Sequence, residues 1–324
     1  MKRLVICFDG TWKGPTDEDL SNVEKIARTV ESREGRADVQ QSVLYVGGVG
    51  SDFYRTNRLL GGIWGFGLFS NLVIGYRWLA LNYEPGDQVY AIGFSRGAFT
   101  ARSLAGIVDR IGLLTRRAVV DGFLPDALRL YRELRKPGAD ARNEEFKAAH
   151  CHSETPIEFV GVFDTVGALG PWAKFHDLEL SRTVRNARQA LAIDERRLAF
   201  EPLLWVGGPD ADETRVLQVW FDGVHTDVGG GYAEHGIANE TLAWMVEQAS
   251  ARGLVFNDDL LSVYLDDGSP RVVHDSLTLP YRLLNLVLRA WHLVRPNPRF
   301  RGTRRVLFPP GARDVVVRGR AEAD

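Results

Sequence analysis

Val89-Tyr90-Ala91-Ile92-Gly93-Phe94-Ser95-Arg96-Gly97-Ala98-Phe99-Thr100-Ala101-Arg102 opens as an apolar run, turns at a serine flanked by glycines, and continues as small residues. The first part reads as a buried strand and the last as a helix, so Ser95 stands on a tight strand-to-helix turn. A side chain two positions to either side of such a turn collides with the elements it joins. Gly93 and Gly97 remove those side chains. The serine is thereby presented at the carboxyl edge of a sheet, beside helix amides that favour developing negative charge. Ser95 is the candidate nucleophile.

Working outward, Leu4–Phe8 and Val43–Val46 are two further short apolar runs, and Ile157–Phe163 and Val216–Phe221 two more. Helical patterns lie between and after them at Leu20–Val30, Leu68–Leu81 and Asn239–Ala251. Strands alternating with helices predict an α/β fold: a mostly parallel sheet with helices on both faces. No repeat or linker divides the 324 residues, so one domain over 1–324 is expected. The polar, helical stretch 116–151 reads as an insertion between two strands, a common place for a cap over a site. The stretch Leu59–Gly75 reads as a buried glycine-rich loop leading into a core helix rather than a membrane span, being short and interrupted by Ser70 and Asn71.

A serine hydroxyl needs a base, and the base an orienting acid. Of seven histidines, His225 follows a strand in Phe221-Asp-Gly-Val-His225-Thr-Asp227-Val-Gly-Gly-Gly-Tyr232, a glycine-rich loop at a strand's carboxyl end. Asp164 directly follows the buried strand Ile157–Phe163 and is the preferred acid. Asp222 and Asp227 compete by sequence proximity, with Asp227 better suited to brace the histidine loop. Two backbone amides should hold an oxyanion: that of Arg96, and one from Asp9-Gly10-Thr11 after the first strand, at Gly10 or Thr11. No cofactor or metal is called for. The same Asp9-Gly10-Thr11 is similar to aspartyl phosphatases of the haloacid dehalogenase type. That chemistry needs an aspartate where Cys7 stands. A metal-dependent phosphohydrolase using Asp9, Asp222 and Asp227 is a further alternative.

The ordered set Phe8-Asp-Gly-Thr-Trp12, Gly93-Phe-Ser-Arg-Gly-Ala98, Phe163-Asp-Thr-Val166, Ala190–Arg196 with Phe200-Glu-Pro202 and Trp205, His225–Tyr232 and His274-Asp-Ser276 runs through most of the chain. It resembles the α/β-hydrolase domain shared with type VI secretion phospholipase effectors of the G-x-S-x-G kind. The resemblance implies an α/β-hydrolase-like sheet and a Ser-Asp-His triad, with Ser95, Asp164 and His225 on the matching positions. It also implies phospholipase or related carboxylester hydrolysis, and an immunity or adaptor protein as a partner. A small soluble ester as substrate and a vestigial, hydrolase-like binding module are the alternatives.

Composition is that of a folded chain, 45% hydrophobic and 25% charged, which excludes disordered and low-complexity classes. A net charge of −2 argues against wholesale nucleic-acid binding. That charge is unevenly spread. Residues 280–324 hold ten arginines against three acids, net +7, which leaves −9 for residues 1–279. The arginine-rich segment reads either as a solvated face paired with the acidic body or as a surface for anionic head groups or an acidic partner. In a lipid hydrolase it would meet head groups while the apolar Gly61–Leu68 loop took the acyl chain. No signal peptide is visible, since the apolar run after Met1-Lys2-Arg3 is only five residues. The expectation is cytoplasmic synthesis, with any export by a signal-less route.

Overall fold

The computed structural model describes residues 1–10, 18–32, 39–48, 63–167, 180–205, 215–294 and 315–318, those at 63–66, 291–294 and 315–318 by backbone alone. Seven strands form one sheet: β1 (Arg3–Phe8), β2 (Gln41–Val46), β3 (Gln88–Phe94), β4 (Ile157–Phe163), β5 (Val184–Ala192), β6 (Val216–Phe221) and β7 (Val315–Arg318). Their order is β2-β1-β3-β4-β5-β6-β7, and every neighbouring pair is parallel. The described helices are α1 (Asn22–Thr29), α2 (Ile63–Asn82), α3 (Arg96–Arg110), α4 (Arg116–Val120), α5 (Leu124–Arg132), α6 (Ala139–His150), α7 (His225–Gly229), α8 (Gly236–Ser250), α9 (Asp258–Leu265) and α10 (Leu279–Val294).

The period of two along each strand sends alternate side chains into two separate cores. Leu4, Ile6 and Phe8 of β1 pack with Leu72, Tyr76 and Leu79 of α2 and Leu104 and Ile107 of α3. Val5 and Cys7 pack on the other face with Val23 and Ile26 of α1 and Leu242 and Met245 of α8. Strands covered on both faces carry nearly continuous apolar runs, which is why β1, β3, β4 and β6 are legible. The chain runs from β1 out to β2 and returns past β1 to β3. The carboxyl ends of β1 and β3 therefore flank the crevice where open α/β sheets place their sites.

Several elements depart from the sequence expectations: β5, β7, α9 and α10 add to them, and the expected loops at His225 and Gly61–Leu68 are helical at α7 and from Ile63. β5 was not anticipated, because Arg185, Asn186, Arg188 and Gln189 break its apolar pattern. Their polar groups find distant partners: Asn186 donates to the Glu158 carbonyl, Arg188 to Gln248, and Gln189 to the Leu203 carbonyl. The loop expected at Gly61–Leu68 is helical from Ile63 onward, while Gly61 and Gly62 lie outside the described residues. Leu68 is buried against Phe99. Glycine in α2 serves close packing, for a Cβ on Gly75 would lie 2.4 Å from the Phe8 ring.

Residues 116–150 form α4, α5 and α6 between α3 and β4. Ala118, Ala127, Leu130 and Tyr131 bury against the α2–α3 side of the sheet. Among the described contacts none joins these three helices to Ser95, Asp164 or His225. Of the arginine-rich segment 280–324, α10 and β7 are described, and 295–314 and 319–324 lie outside.

Candidate active site

Local chemistry sets the turn at Ser95. Its backbone sits at φ 58° and ψ −118°, where an L-residue is strained by about 1–3 kcal/mol. Two features hold it there. The Ser95 amide donates to the Phe163 carbonyl at the end of β4, 3.0 Å away. The first turn of α3 then drops onto β1 so closely that a Cβ on Gly97 would lie 2.0 Å from the Phe8 carbonyl oxygen. A Cβ on Gly93 would lie 2.6 Å from the Gly97 carbonyl oxygen, so both glycines are steric requirements of the turn.

Asp164 follows β4 in a second positive-φ turn, at φ 38°. Its amide donates to the Ala190 carbonyl at 2.7 Å, and its Oδ1 accepts from the Ala192 amide at 3.1 Å. Both anchors belong to β5, the strand that the sequence concealed. His225 opens α7 just beyond β6. Its Nδ1 lies 2.7 Å from Asp164 Oδ2, and its Nε2 lies 2.7 Å from Ser95 Oγ. An ionised carboxylate only accepts, so Nδ1 carries the proton and Nε2 presents its lone pair to the serine hydroxyl. Three strand ends thus deliver one continuous hydrogen-bonded chain.

The chain is enclosed: Ser95, His225 and Asp164 are 3%, 4% and 0% exposed. Phe94 lies against the imidazole at 4.7 Å between ring centroids, and Phe200 meets it edge-on at 4.9 Å. Burial disfavours the imidazolium and lowers the His225 pKa below its ordinary value, although the hydrogen bond and charge of Asp164 act in the opposite sense. The neutral form, which can take a proton, is the resting form at neutral pH.

Behind the histidine lies a group to which the sequence reading gave no role. The Glu195 carboxylate accepts from the His225 backbone amide at 3.2 Å, from the Ser276 hydroxyl at 2.9 Å, and from Arg197 Nε and Nη2 at 2.9 and 2.7 Å. Burial works to raise its pKa, but the Arg197 bonds and charge bring it below the usual carboxylate value. Arg197 in turn lies beneath the Phe200 ring, 3.6 Å from its centroid. The signal available in sequence was only an acidic residue with arginines one and two positions on.

The remaining expected residues fall as follows. Asp227 accepts from the Val224 amide at 2.8 Å and pairs with His274 Nδ1 at 2.5 Å, tying the turn before His225 to a distant segment. Asp222 pairs with Arg271 at 2.6 Å and is not part of the chain. Asp9 accepts from Ser21, Tyr45 and the Gly10 amide at 2.6, 2.7 and 2.6 Å, and burial raises its pKa. The Gly10 amide is therefore engaged by its own neighbour in this arrangement. Thr11 lies outside the described residues. Arg96 is the first residue of α3, where an amide has no intrahelical acceptor. Asp9, Asp222 and Asp227 hold separate partners, and among the described residues no cluster of three or more His, Cys, Asp or Glu could hold a metal.

Residues 2–248 match the family described as T6SS, Phospholipase effector Tle1-like, catalytic domain. The chain belongs to this Tle1-like family. It is also 30% identical over 230 residues to the uncharacterized protein YEL023C of Saccharomyces cerevisiae, covering 64% of this chain and 33% of that protein. Among solved structures it is similar to an uncharacterized protein from Pseudomonas aeruginosa, with a TM-score of 0.51 at 16% identity over 92% of this chain and 55% of that one. It also matches the Tle1 effector bound to the VgrG spike from the type 6 secretion system, with a TM-score of 0.40 at 18% identity over 72% of this chain and 52% of that one. The Tle1-like chain spans about a third of its curated relative and about half of the solved structures. Its all-parallel sheet with helices on both faces is the α/β-hydrolase-like architecture. Among the described residues no helix is long and apolar enough to cross a membrane.

Proposed function

We propose that this chain is a serine hydrolase that cleaves carboxylic esters of phospholipids or related lipids, with Ser95 as nucleophile, His225 as base and Asp164 as its orienting acid. The observation that carries the reading is the pair of 2.7 Å hydrogen bonds running from Asp164 through His225 to Ser95. Membership of a phospholipase effector family supports the substrate class.

The steps follow from the geometry. Ser95 Oγ attacks the ester carbonyl carbon while His225 Nε2 takes the hydroxyl proton, and the imidazolium is stabilised by Asp164. Negative charge moves to the carbonyl oxygen, beside the amino end of α3, where the Arg96 amide is the nearest helix donor in sequence. A second donor from Gly10 or Thr11 requires the Gly10 amide to leave Asp9 or the next amide to serve instead. Collapse breaks the ester bond, and His225 returns its proton to the departing alcohol. Water then attacks the acyl-serine by the same route and releases the fatty acid.

A fluorophosphonate probe tests this directly. Wild-type protein should be labelled and Ser95→Ala should not; labelling that survives the substitution overturns the assignment. Phospholipids run beside p-nitrophenyl esters then decide between a lipid and a small soluble ester.

A further inference from the structure

We propose that α10 is an interfacial helix that lays its leucine face on an anionic lipid bilayer and seats the active site over it. The proposal rests on the lipid-ester reading above and names the surface that delivers the substrate. α10 lies beyond residues 2–248, so it is outside the region matched by the family.

The helix is built inside out. At 100° per residue, Tyr281, Asn285 and Leu288 form one narrow stripe, and these are the described residues of α10 that are buried or half-buried. Asn285 of that stripe is buried, accepting from the Leu198 amide at 2.9 Å and donating to the Arg196 carbonyl at 3.0 Å. The opposite face carries Leu279, Leu283, Leu286 and Val287, at 70%, 57%, 59% and 64% exposure. A helix bound to its own domain through an amide, with its leucines turned outward, has its apolar side reserved for something else.

Charge and position choose the occupant. Arg282 and Arg289 fall together on one edge of the leucine face, where guanidinium groups of a helix lying in a bilayer surface meet lipid phosphates. They begin a segment whose sequence carries a net +7, against −9 for residues 1–279, and charge of that sign is drawn to an anionic surface. Sixteen residues span about 24 Å, too short to cross a bilayer but ample to lie along one. The inner stripe also touches the site: the Tyr281 ring is 5.9 Å from Phe200, which meets His225 at 4.9 Å.

The test uses the 324-residue chain with Ser95→Ala, so that vesicles are not consumed, sedimented with phosphatidylcholine vesicles with or without phosphatidylglycerol. Binding should require phosphatidylglycerol and weaken with salt. The Leu283→Glu/Leu286→Glu pair should lower it at least about tenfold. The same pair in Ser95-intact protein should leave p-nitrophenyl butyrate turnover unchanged. Arg282→Gln/Arg289→Gln should weaken binding to phosphatidylglycerol vesicles and retain the fold. Wild-type-like sedimentation of both pairs overturns the proposal. So does a dimer in solution that the glutamate pair converts to monomer, since a second copy would then cover the face. Vesicle binding without any ester turnover supports docking and removes the hydrolase reading; turnover without binding removes docking alone.

Discussion

A single methyl group at position 97 tests the turn that presents Ser95. In Gly97→Ala the new Cβ would stand 2.0 Å from the Phe8 carbonyl oxygen and 2.5 Å from that of Asp9. Both obstacles are backbone of β1 and its exit, so no side-chain rotation relieves them. Restoring an ordinary carbon–oxygen contact of about 3.3 Å moves the first turn of α3 by more than about 1 Å. Overpacking of this kind costs roughly 1–3 kcal/mol, and two backbone clashes place it at the upper end. The displacement also carries Ser95 away from a 2.7 Å bond to His225, and a shift of about 1 Å at a reacting centre costs roughly 10²-fold in rate. Gly106→Ala in the same helix is the control, because its Cβ meets only the Tyr131 hydroxyl, at 3.3 Å. Helix propensity there favours alanine by about 0.5–1 kcal/mol. Urea unfolding followed by circular dichroism and kcat/KM on p-nitrophenyl butyrate read the two effects. Wild-type stability and rate in Gly97→Ala would refute the reasoning, as would equal damage from Gly106→Ala.

Asp164→Asn should retain the fold and lose about 10⁴ in kcat, since an amide leaves the imidazole in the wrong tautomer; steady-state kinetics showing less than a tenfold loss removes Asp164 from the role. In the proposed mechanism only the neutral imidazole takes the Ser95 proton, and burial lowers the His225 pKa, so kcat/KM should rise with pH through a midpoint below 6.5 and stay flat above it. A midpoint above about 7 would mean that the Asp164 charge outweighs desolvation. Arg197→Ala leaves the Glu195 carboxylate buried without its cation and should destabilise the protein by about 3–5 kcal/mol in denaturant melts. Glu195→Gln, which keeps an acceptor for the His225 amide, should cost much less. The order of these two variants is the decisive comparison.

Much of the framework was open to reading along the chain. β1, β3, β4 and β6 announce themselves because both of their faces are buried. Ser95 is marked by Gly93 and Gly97, since the collision they avoid lies within a few residues or against the first strand. Asp164 and His225 were placed at strand ends by the same apolar runs. β5 was hidden because its arginines, asparagine and glutamine are satisfied by groups such as Gln248 and Glu158, far away in sequence. Glu195 inherits that invisibility, for its value lies in Arg197, Ser276 and the His225 amide arriving together.

The sequence by itself determined the alternating strands and helices, the turn that places a serine at a sheet edge, and a short choice of bases and acids. Those features depend on local sterics and on burial periodicity, which a chain carries in its own order of residues. Only the tertiary structure decided that Asp164 and not Asp222 or Asp227 faces His225, and that Asp9 accepts from the Tyr45 hydroxyl. It alone turned the leucines of α10 outward by fixing Asn285 to the Arg196–Leu198 backbone. Each of those outcomes rests on partners separated by tens to hundreds of residues, whose meeting is set by the strand order of the sheet.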